Sequence, residues 1–289
     1  MAVNRRFRFG TGSYTTANLA EFQDNARRVE TLGYDIFLSA DHFNQDMFPV
    51  GPGLVAAACA TTTLRLGSFV YCNNFRHPAL LAREAAAIDV LSGGRLEFGI
   101  GAGYYQVEYD QTGITLPDRR TRIDSLREAL AIVKGLWADE PFTFDGEHYT
   151  ITEMEGWPKP LQRPRPPVHI GGAGRRIMKL AASEADVVGI LAPSLTTGLA
   201  LGDETDAGIA QSVGWLRDAA GERFDDIELG ALIWYVMVTD HPESAAEVAA
   251  SRWGVSAEQV LASPYFLLGS VEGIIEQVQA LGYVTASAT

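Results

Sequence analysis

Residues 168–190, VHIGGAGRRIMKLAASEADVVGI, show a strand–helix–strand pattern that indicates how the rest of the chain folds. The apolar run Val168 to Gly171 predicts a strand, and Arg175 to Ser183 has the spacing of an amphipathic helix. A second apolar run, Asp186 to Ile190, predicts another strand. A strand, a helix and a strand in this order are typical of a βαβ unit, in which the two strands are parallel.

The same alternation continues in both directions along the chain. Upstream, the patterns predict strands at Phe7–Ser13, Tyr34–Leu38, Leu64–Tyr71 and Arg95–Ile100, and helices at Leu19–Leu32, Pro78–Leu91 and Arg120–Trp137. Downstream, they predict a loop at 191–206, a helix ending at Ala220, a strand at Glu228–Val238, helices at Pro242–Ala262 and Val271–Leu281, and a short eighth strand at Tyr283–Ala286. This rhythm predicts an α/β protein with one (β/α)8 TIM-barrel domain over residues 1–289.

One segment interrupts the rhythm. Phe142 to Thr152 alternates around Asp145 and Gly146, a dipeptide that favours a β-hairpin turn, so we predict a hairpin insertion there. The proline-dense stretch 157–167 predicts an extended connector, because proline fits neither a helix interior nor a central strand.

Composition excludes several classes of function. The formal net charge of -13 disfavours nucleic acid and anionic membranes as partners. Two cysteines, Cys59 and Cys72, without metal-ligand spacing indicate neither a disulfide scaffold nor a zinc site. His148 and His241 have no cluster of ligand types around them, so we expect no metal. With no apolar signal region or membrane span in the sequence, we expect a cytoplasmic protein.

Barrel enzymes carry their working residues at the carboxyl ends of the strands, so the segments after each strand are the candidates. Asp41 and His42 follow the second strand. An imidazole there could exchange a proton or face an anion, whereas the alternative is a helix-capping aspartate beside a surface histidine. Polar side chains at 72–77 follow the third strand and could line a cofactor, although Pro78 also fits a helix start.

Glycines follow the next two strands. Gly101, Ala102 and Gly103 would let the backbone approach a ring or a phosphate, but a glycine-rich turn is by itself a weak signal. Gly171, Gly172, Ala173 and Gly174 precede a helix that opens with Arg175 and Arg176, which indicates an anion site at the helix N-terminus. The alternative is a tight turn with solvated arginines. No GxSxG motif supplies a nucleophilic serine.

Four segments together resemble the luciferase-like monooxygenase superfamily, and within it the F420-dependent oxidoreductases. They are SADHF at 39–43, LGSFVYCNNFRHP at 66–78, LSGGRLEFGIGAGYYQVEYDQTGI at 91–114, and the opening segment at 168–190. The resemblance covers most of the chain. Relatives use either coenzyme F420 or reduced FMN, so the resemblance is less specific for the cofactor than for the family.

The resemblance implies roles for individual residues. His42 would face the redox centre of the cofactor ring, and Asp41 would help to hold the cofactor. A non-prolyl cis peptide is implied between Phe69 and Val70, with the backbone of these two residues against the back of the cofactor ring. The remaining implied cofactor contacts are Cys72 after the third strand, Gly101, Ala102 and Gly103 along the fourth, and Gly171, Gly172, Ala173, Gly174 and Arg175 at the cofactor phosphate.

One position departs from the pattern of a sugar-phosphate-oxidising relative. That relative has a catalytic glutamate immediately after the fourth-strand glycines, whereas this chain has Tyr104. A tyrosine there could donate a proton or form a wall of the substrate pocket. The departure puts the same sugar-phosphate reaction in doubt.

The resulting hypothesis is hydride transfer between F420 and a small organic substrate, with His42 and Tyr104 as catalytic candidates. The alternative enzyme is a two-component FMNH2-dependent monooxygenase served by a flavin reductase. A third reading is a barrel that binds a deazaflavin without turnover. We also expect a homodimer formed through the early helices.

Overall fold

A computed structural model describes residues 6–12, 18–43, 46–191 and 206–287. These residues group into an N-terminal unit, residues 4–170, and a C-terminal unit that begins at Gly171. The predicted loop at 191–206 lies almost entirely outside the described residues.

The N-terminal unit is a parallel sheet with helices between its strands. Its sheet strands are β1 (Gly10–Gly12), β2 (Ile36–Ser39), β3 (Arg65–Ser68), β4 (Tyr71–Cys72), β5 (Leu96–Gly101) and β8 (Val168–Gly172), the last of which continues into the C-terminal unit. The order is β1-β2-β3-β5-β8, and β4 also pairs with β5. All these pairs are parallel, as the βαβ pattern predicts.

The helices of this unit connect its strands. They are α1 (Leu19–Thr31), α2 (Val50–Ala60), α3 (Pro78–Leu91), α4 (Gln106–Thr112) and α5 (Arg119–Trp137). Side chains cap the N-termini of three of them, α1, α3 and α5. Asn18 caps α1 through Glu21 N, and Asp118 caps α5. Helix α3 has the predicted bounds, with Pro78 in its first turn. The sequence analysis missed α4, which is only seven residues long.

Alternate residues of β5 face opposite sides of the sheet. Leu96, Phe98 and Ile100 are fully buried, and the ring of Phe98 packs edge-on against Trp137 of α5, with centroids 5.2 Å apart. Glu97, on the other face of β5, accepts hydrogen bonds from Arg8 at 2.8 and 2.9 Å and from Arg65 at 2.5 Å. The core therefore lies between sheet and helices, and a charged cluster occupies the opposite face.

The predicted third strand is interrupted in its middle. A non-prolyl cis peptide joins Phe69 and Val70, as the resemblance implied, and it separates β3 from β4. The Ser68 hydroxyl bridges the gap to β5, because it donates to the carbonyl of Gly99 at 2.9 Å and accepts from its amide at 2.8 Å. A side chain at Gly99 would meet the Ser68 carbonyl, so this close approach requires glycine.

The hairpin insertion is confirmed as β6 (Phe142–Asp145) paired antiparallel with β7 (Thr150–Met154). Its turn is attached to α5 by Glu128, whose buried carboxylate accepts from the amides of Glu147, His148 and Tyr149 at 2.9–3.2 Å. These bonds lower the pKa of Glu128, although burial opposes the change. The connector at 157–167 has no helix or strand and contains two cis prolines, Pro158 and Pro164.

The C-terminal unit continues the alternation from the end of β8. Its further elements are α6 (Arg175–Glu184), β9 (Val187–Ile190), α7 (Asp206–Ala220), β10 (Glu228–Ala231), β11 (Tyr235–Val238), α8 (Pro242–Trp253), α9 (Ala257–Ala262), β12 (Phe266–Gly269) and α10 (Val271–Ser287). Strand β9 pairs in parallel with β10, and β11 pairs in parallel with β12.

Three predictions for this unit are wrong. The single strand Glu228–Val238 is two strands, β10 and β11, which belong to different sheets. The single helix Pro242–Ala262 is two helices, because Gly254 adopts φ 68° and ends α8, and Ser256 then caps α9 with a capping box.

The third error concerns the eighth strand. Residues 283–286 lie within helix α10, and the strand that was sought is β12, whose four residues are all buried. The run FLLG is uniformly apolar, and a short run of this kind gives no periodicity that separates a buried strand from the flanking helices.

Glu30, near the end of α1, connects that helix to the start of β3. Its Oε1 accepts from the amides of Thr62, Thr63 and Leu64 at 2.7–3.0 Å. Burial opposes ionisation, but the backbone hydrogen bonds together outweigh it and lower the pKa of Glu30 to about 2. The ionised carboxylate therefore stabilises the folded state.

We predict that Glu30→Gln lowers the free energy of unfolding at pH 7 by about 1–3 kcal/mol. Because the pKa of Glu30 in the folded protein lies below its ordinary value of 4.5, the stability advantage of the wild type is full above that pH and is lost as the pH falls towards about 2. Urea unfolding across this range measures the difference, with exposed Glu247→Gln as the control. A difference that does not change with pH would contradict the assignment.

Candidate active site

His42 lies just beyond the carboxyl end of β2, and a buried glutamate holds it. Its Nδ1 is 3.1 Å from both carboxylate oxygens of Glu108, and the amide of Phe43 donates to Glu108 Oε1 at 2.8 Å. Glu108 lies on α4 and is 2% exposed. With Nδ1–H donating to this carboxylate, Nε2 is the ring nitrogen that can accept a proton or contact a ligand.

Two tyrosines that follow β5 flank the imidazole. The ring centroids of Tyr104 and Tyr105 lie 6.4 and 6.3 Å from that of His42, and both rings are nearly perpendicular to it. Partial burial, and then the charge of Glu108, raise the pKa of Tyr104. Tyr104 is therefore a neutral phenol near neutral pH, able to donate a hydrogen bond but not to act as a base.

The carboxylate of Asp41 connects β2 to the segment after β4. It accepts from the amide of Cys72 at 2.9 Å and receives two bonds from the guanidinium of Arg76, at 2.8 and 2.9 Å. Arg76 also lies over the ring of Tyr71, 4.9 Å from its centroid. Asp41 thus positions the neighbours of His42, and the expectation that it touches a cofactor stays a prediction.

Cys72, Tyr109 and Gly103 pack closely against one another. Cys72 Sγ lies 3.1 Å from the hydroxyl of Tyr109, and burial raises the pKa of Cys72 to about 11. The residue is therefore a thiol at neutral pH and not a thiolate nucleophile. Gly103 has φ 74°, and a Cβ there would meet the Tyr109 hydroxyl and lie 2.8 Å from Cys72 Sγ.

The glycines of β5 serve the packing of the chain itself. A Cβ at Gly101 would lie 2.8 Å from Cγ2 of Val70, the second residue of the cis peptide. The end of β5 and the interrupted third strand therefore pack directly on each other. This close packing gives the strand ends one fixed surface beside His42.

The predicted phosphate turn belongs to the C-terminal unit. Helix α6 begins at Arg175, and its N-cap, Gly174, has φ 91° and makes no side-chain capping bond. Glycine has no side chain to cap the backbone N–H groups of the first turn, and the anion site that the sequence suggests there stays a prediction. A Cβ at Gly172 would lie 2.9 Å from Ile177, whereas one at Gly171 would meet only Leu191, at 4.0 Å.

The structure brings together the predicted residues of the N-terminal unit. They lie at or after the carboxyl ends of β2, β3, β4 and β5, and they are Asp41, His42, Phe69, Val70, Cys72, Gly101, Ala102, Gly103 and Tyr104. The sequence analysis missed Glu108, Tyr105 and Tyr109 as members of this cluster. The one available signal was their place in the sequence YYQVEYD, which directly follows the glycines at the end of β5.

The chain belongs to the luciferase-like monooxygenase family, whose family model matches residues 1–283. The oxygenase component of flavin-dependent trigonelline monooxygenase from Acinetobacter baylyi is 32% identical over 197 residues, 68% of this chain and 51% of that protein. An F420-dependent glucose-6-phosphate dehydrogenase from Kineococcus radiotolerans is 31% identical over 180 residues, 60% of this chain and 52% of that protein. The chain thus spans about half the length of these curated relatives.

Solved structures show the same fold. An F420-dependent secondary alcohol dehydrogenase in complex with an F420–acetone adduct superposes with a TM-score of 0.76 at 22% identity, covering 96% of this chain and 91% of that one. The monooxygenase RslO1 from Streptomyces bottropensis gives 0.78 at 21% identity, with 97% and 90% coverage. The predicted fold class, an α/β luciferase-like TIM barrel, is confirmed.

The part of the chain that the structure describes contains neither a membrane-spanning helix nor a cluster of metal ligands. No helix among them is both long and apolar enough to cross a membrane. No group of three or more His, Cys, Asp and Glu side chains within them could hold a metal ion.

Gly103 and Gly113 form a matched pair for testing the tight contact. Both glycines have φ near 70°, but a Cβ at Gly113 would meet no atom within 4 Å. We predict that Gly113→Ala costs about 1 kcal/mol of stability from backbone strain alone, and that Gly103→Ala costs at least twice as much. Thermal unfolding of both variants measures the difference. Equal costs would show that the Cys72–Tyr109 contact is loose.

Proposed function

We propose that this protein is an oxidoreductase that transfers a hydride between coenzyme F420 and a small organic substrate, with residues 1–289 acting as one luciferase-like domain. The observation that carries the proposal is the His42–Glu108 pair, in which a buried carboxylate orients an imidazole and leaves Nε2 available. Family membership and the F420-dependent relatives support it. The activities of those relatives are theirs, and their transfer to this chain is the proposal.

The residues present fit a ring-shaped cofactor with a phosphate. A Cβ at Gly101 would lie 2.8 Å from Cγ2 of Val70, so the end of β5 packs closely against the Val70 side chain and only glycine fits there. In the C-terminal unit, the N-terminus of α6 has no side-chain cap and Arg175 stands in its first turn. We assign the cofactor phosphate to Gly171, Gly172, Ala173, Gly174 and Arg175 as a prediction.

The bound cofactor would supply the hydride chemistry, and the protein would supply position and electrostatics. His42 would hold or move a proton at Nε2 where charge develops on the substrate or ring, while Glu108 fixes the ring and stabilises its protonated form. Tyr104, neutral near pH 7, would donate a hydrogen bond. Cys72 would remain a neutral thiol that fills space beside the cofactor.

The second candidate is an FMNH2-dependent monooxygenase that receives reduced flavin from a separate reductase. The observation that favours it is the relationship to the trigonelline enzyme, the relative that aligns with 68% of this chain. That protein is named as the oxygenase component of its system. In this candidate, His42, held by Glu108, would stand beside the reacting flavin, from which water has to be kept out.

We predict that the purified protein binds F420 more tightly than FMN, and that His42→Ala lowers turnover by about 10²-fold or more. Titration by fluorescence or absorbance gives the two affinities. A preference for FMN together with reductase-dependent oxygen consumption would favour the monooxygenase. Full turnover by His42→Ala would reject a catalytic role for the imidazole.

Glu108 can be tested as a positioning residue. We predict that Glu108→Ala lowers kcat by about tenfold or more with little change in KM, because the imidazole loses its orientation but the substrate keeps its contacts. Glu108→Gln, which keeps a hydrogen-bond acceptor, should restore part of the loss. Asp110→Asn, an exposed change on the same helix, is the control. A loss in KM alone, or no rescue by Glu108→Gln, would contradict the role.

A further inference from the structure

We propose that the substrate of this site is an uncharged molecule with an apolar or aromatic face, bound against Tyr104 and Tyr105 beside His42. This inference rests on the proposed function, since it names the substrate class for that same site. It depends on two independent observations, the exposed aromatic surface around His42 and the distribution of cationic side chains along the chain.

The aromatic side chains around His42 are partly exposed to solvent. Tyr104 and Tyr105, which flank His42, are 41% and 38% exposed. Val107 and Phe43, the latter next to His42 in the chain, are also exposed, at 42% and 56%. Contiguous exposed apolar side chains beside a polar group mark a binding site more often than a solvated face. Tyrosine rings favour aromatic or apolar partners and leave their hydroxyls for one hydrogen bond.

The segments that follow β2, β4 and β5 hold few cations. They are 40–49, 73–77 and 102–118, and they contain one lysine or arginine between them, Arg76. Arg122, in the first turn of α5, donates to the carbonyl of Pro117. Both terminal nitrogens of Arg76 bond to Asp41, and its guanidinium lies over Tyr71. The ion pair with Asp41 is therefore already formed, and Arg76 has no charge to offer a second anion at full strength.

The rest of the sequence adds few cations. After Lys179 in α6 only Arg217, Arg223 and Arg252 occur, and none of them follows a strand directly. Arg217 lies over Phe224 at 4.5 Å, and Arg252 lies over Trp253 at 4.9 Å. Arg223 donates to the carbonyls of Ala182 and Ala185.

The cations that follow β8 are Arg175 and Arg176, at the turn that the proposed function assigns to the cofactor phosphate. A substrate with its own phosphate or carboxylate would therefore lose hydration beside His42 without gaining an ion pair, in a chain of net charge -13. The charge distribution thus disfavours a sugar phosphate and favours a neutral molecule.

Two aromatic ketones that differ only in a carboxylate test this inference by binding rather than turnover. Acetophenone and 4-acetylbenzoate are titrated into the cofactor-loaded protein by calorimetry or ligand-detected NMR, with glucose 6-phosphate as a third probe. We expect acetophenone to bind at least about tenfold more tightly than either anion. Equal or tighter binding of an anion, or no binding of acetophenone, overturns the proposal.

Substitutions locate the bound ketone. Tyr105→Ala should weaken acetophenone binding by about fivefold or more, whereas Tyr105→Phe should keep most of it. Tyr34→Ala is the matched control, because Tyr34 is also 38% exposed but precedes β2 at the opposite end of the strands. Tyr105→Arg should shift the preference towards 4-acetylbenzoate. An unchanged preference in Tyr105→Arg, or equal weakening by Tyr34→Ala, would contradict the placement.

Failure of the proposed function would look different. Binding of F420 and FMN is measured separately on the wild type and on Tyr105→Ala. If neither cofactor binds but acetophenone still binds through Tyr105, the redox assignment fails and the neutral site remains. If a cofactor binds with unchanged affinity in Tyr105→Ala and the anions bind as well as acetophenone, the redox assignment stands and the substrate class is wrong.

Discussion

The carboxylate of Asp41 is the constraint on which the candidate site depends. It stands one residue before His42 and holds, at the same time, the amide of Cys72 and the guanidinium of Arg76. The end of β2 and the segment after β4 are thereby fixed to each other across an interrupted strand. Breaking one partner of such a part-buried, charge-assisted arrangement leaves the other unpaired and is costly.

A second carboxylate completes the arrangement from the side of β5. Glu108 accepts a hydrogen bond from the amide of Phe43 and another from His42 Nδ1. It therefore holds both the peptide that follows His42 and the imidazole ring itself. The short helix α4 begins soon after the glycines of β5 and carries Glu108, and the link before it carries Tyr104 and Tyr105, so that all three surround one histidine. Chemistry at Nε2 would therefore occur in a setting that is organised before any ligand arrives.

Much of this could be predicted from local patterns. The βαβ rhythm, helix Pro78–Leu91 and the hairpin at Asp145 and Gly146 each follow from periodicity or turn chemistry within a few residues. The cis peptide and the family were accessible only through resemblance. The eighth strand failed because Phe266–Gly269 is short and uniformly apolar, and Gly254 was not recognised as a helix end.

The partners of the functional side chains were not accessible to local patterns. Glu108 is 66 residues from His42, and Arg76 is 35 residues from Asp41. Such hydrogen bonds depend on which strand ends meet in space, and a single sequence does not record that. Position after a strand identified His42, but only the three-dimensional structure assigns its Nδ1 to a buried glutamate.

A crystal structure of the protein with F420, and a second with FMN, would test the central claim most directly. We predict a flavin-type ring against the Phe69–Val70 segment, with His42 Nε2 within hydrogen-bonding or contact distance of the ring or of a bound substrate, and with Nδ1 still on Glu108. A ring bound elsewhere, or a His42 side chain turned away from the ligand, would contradict it.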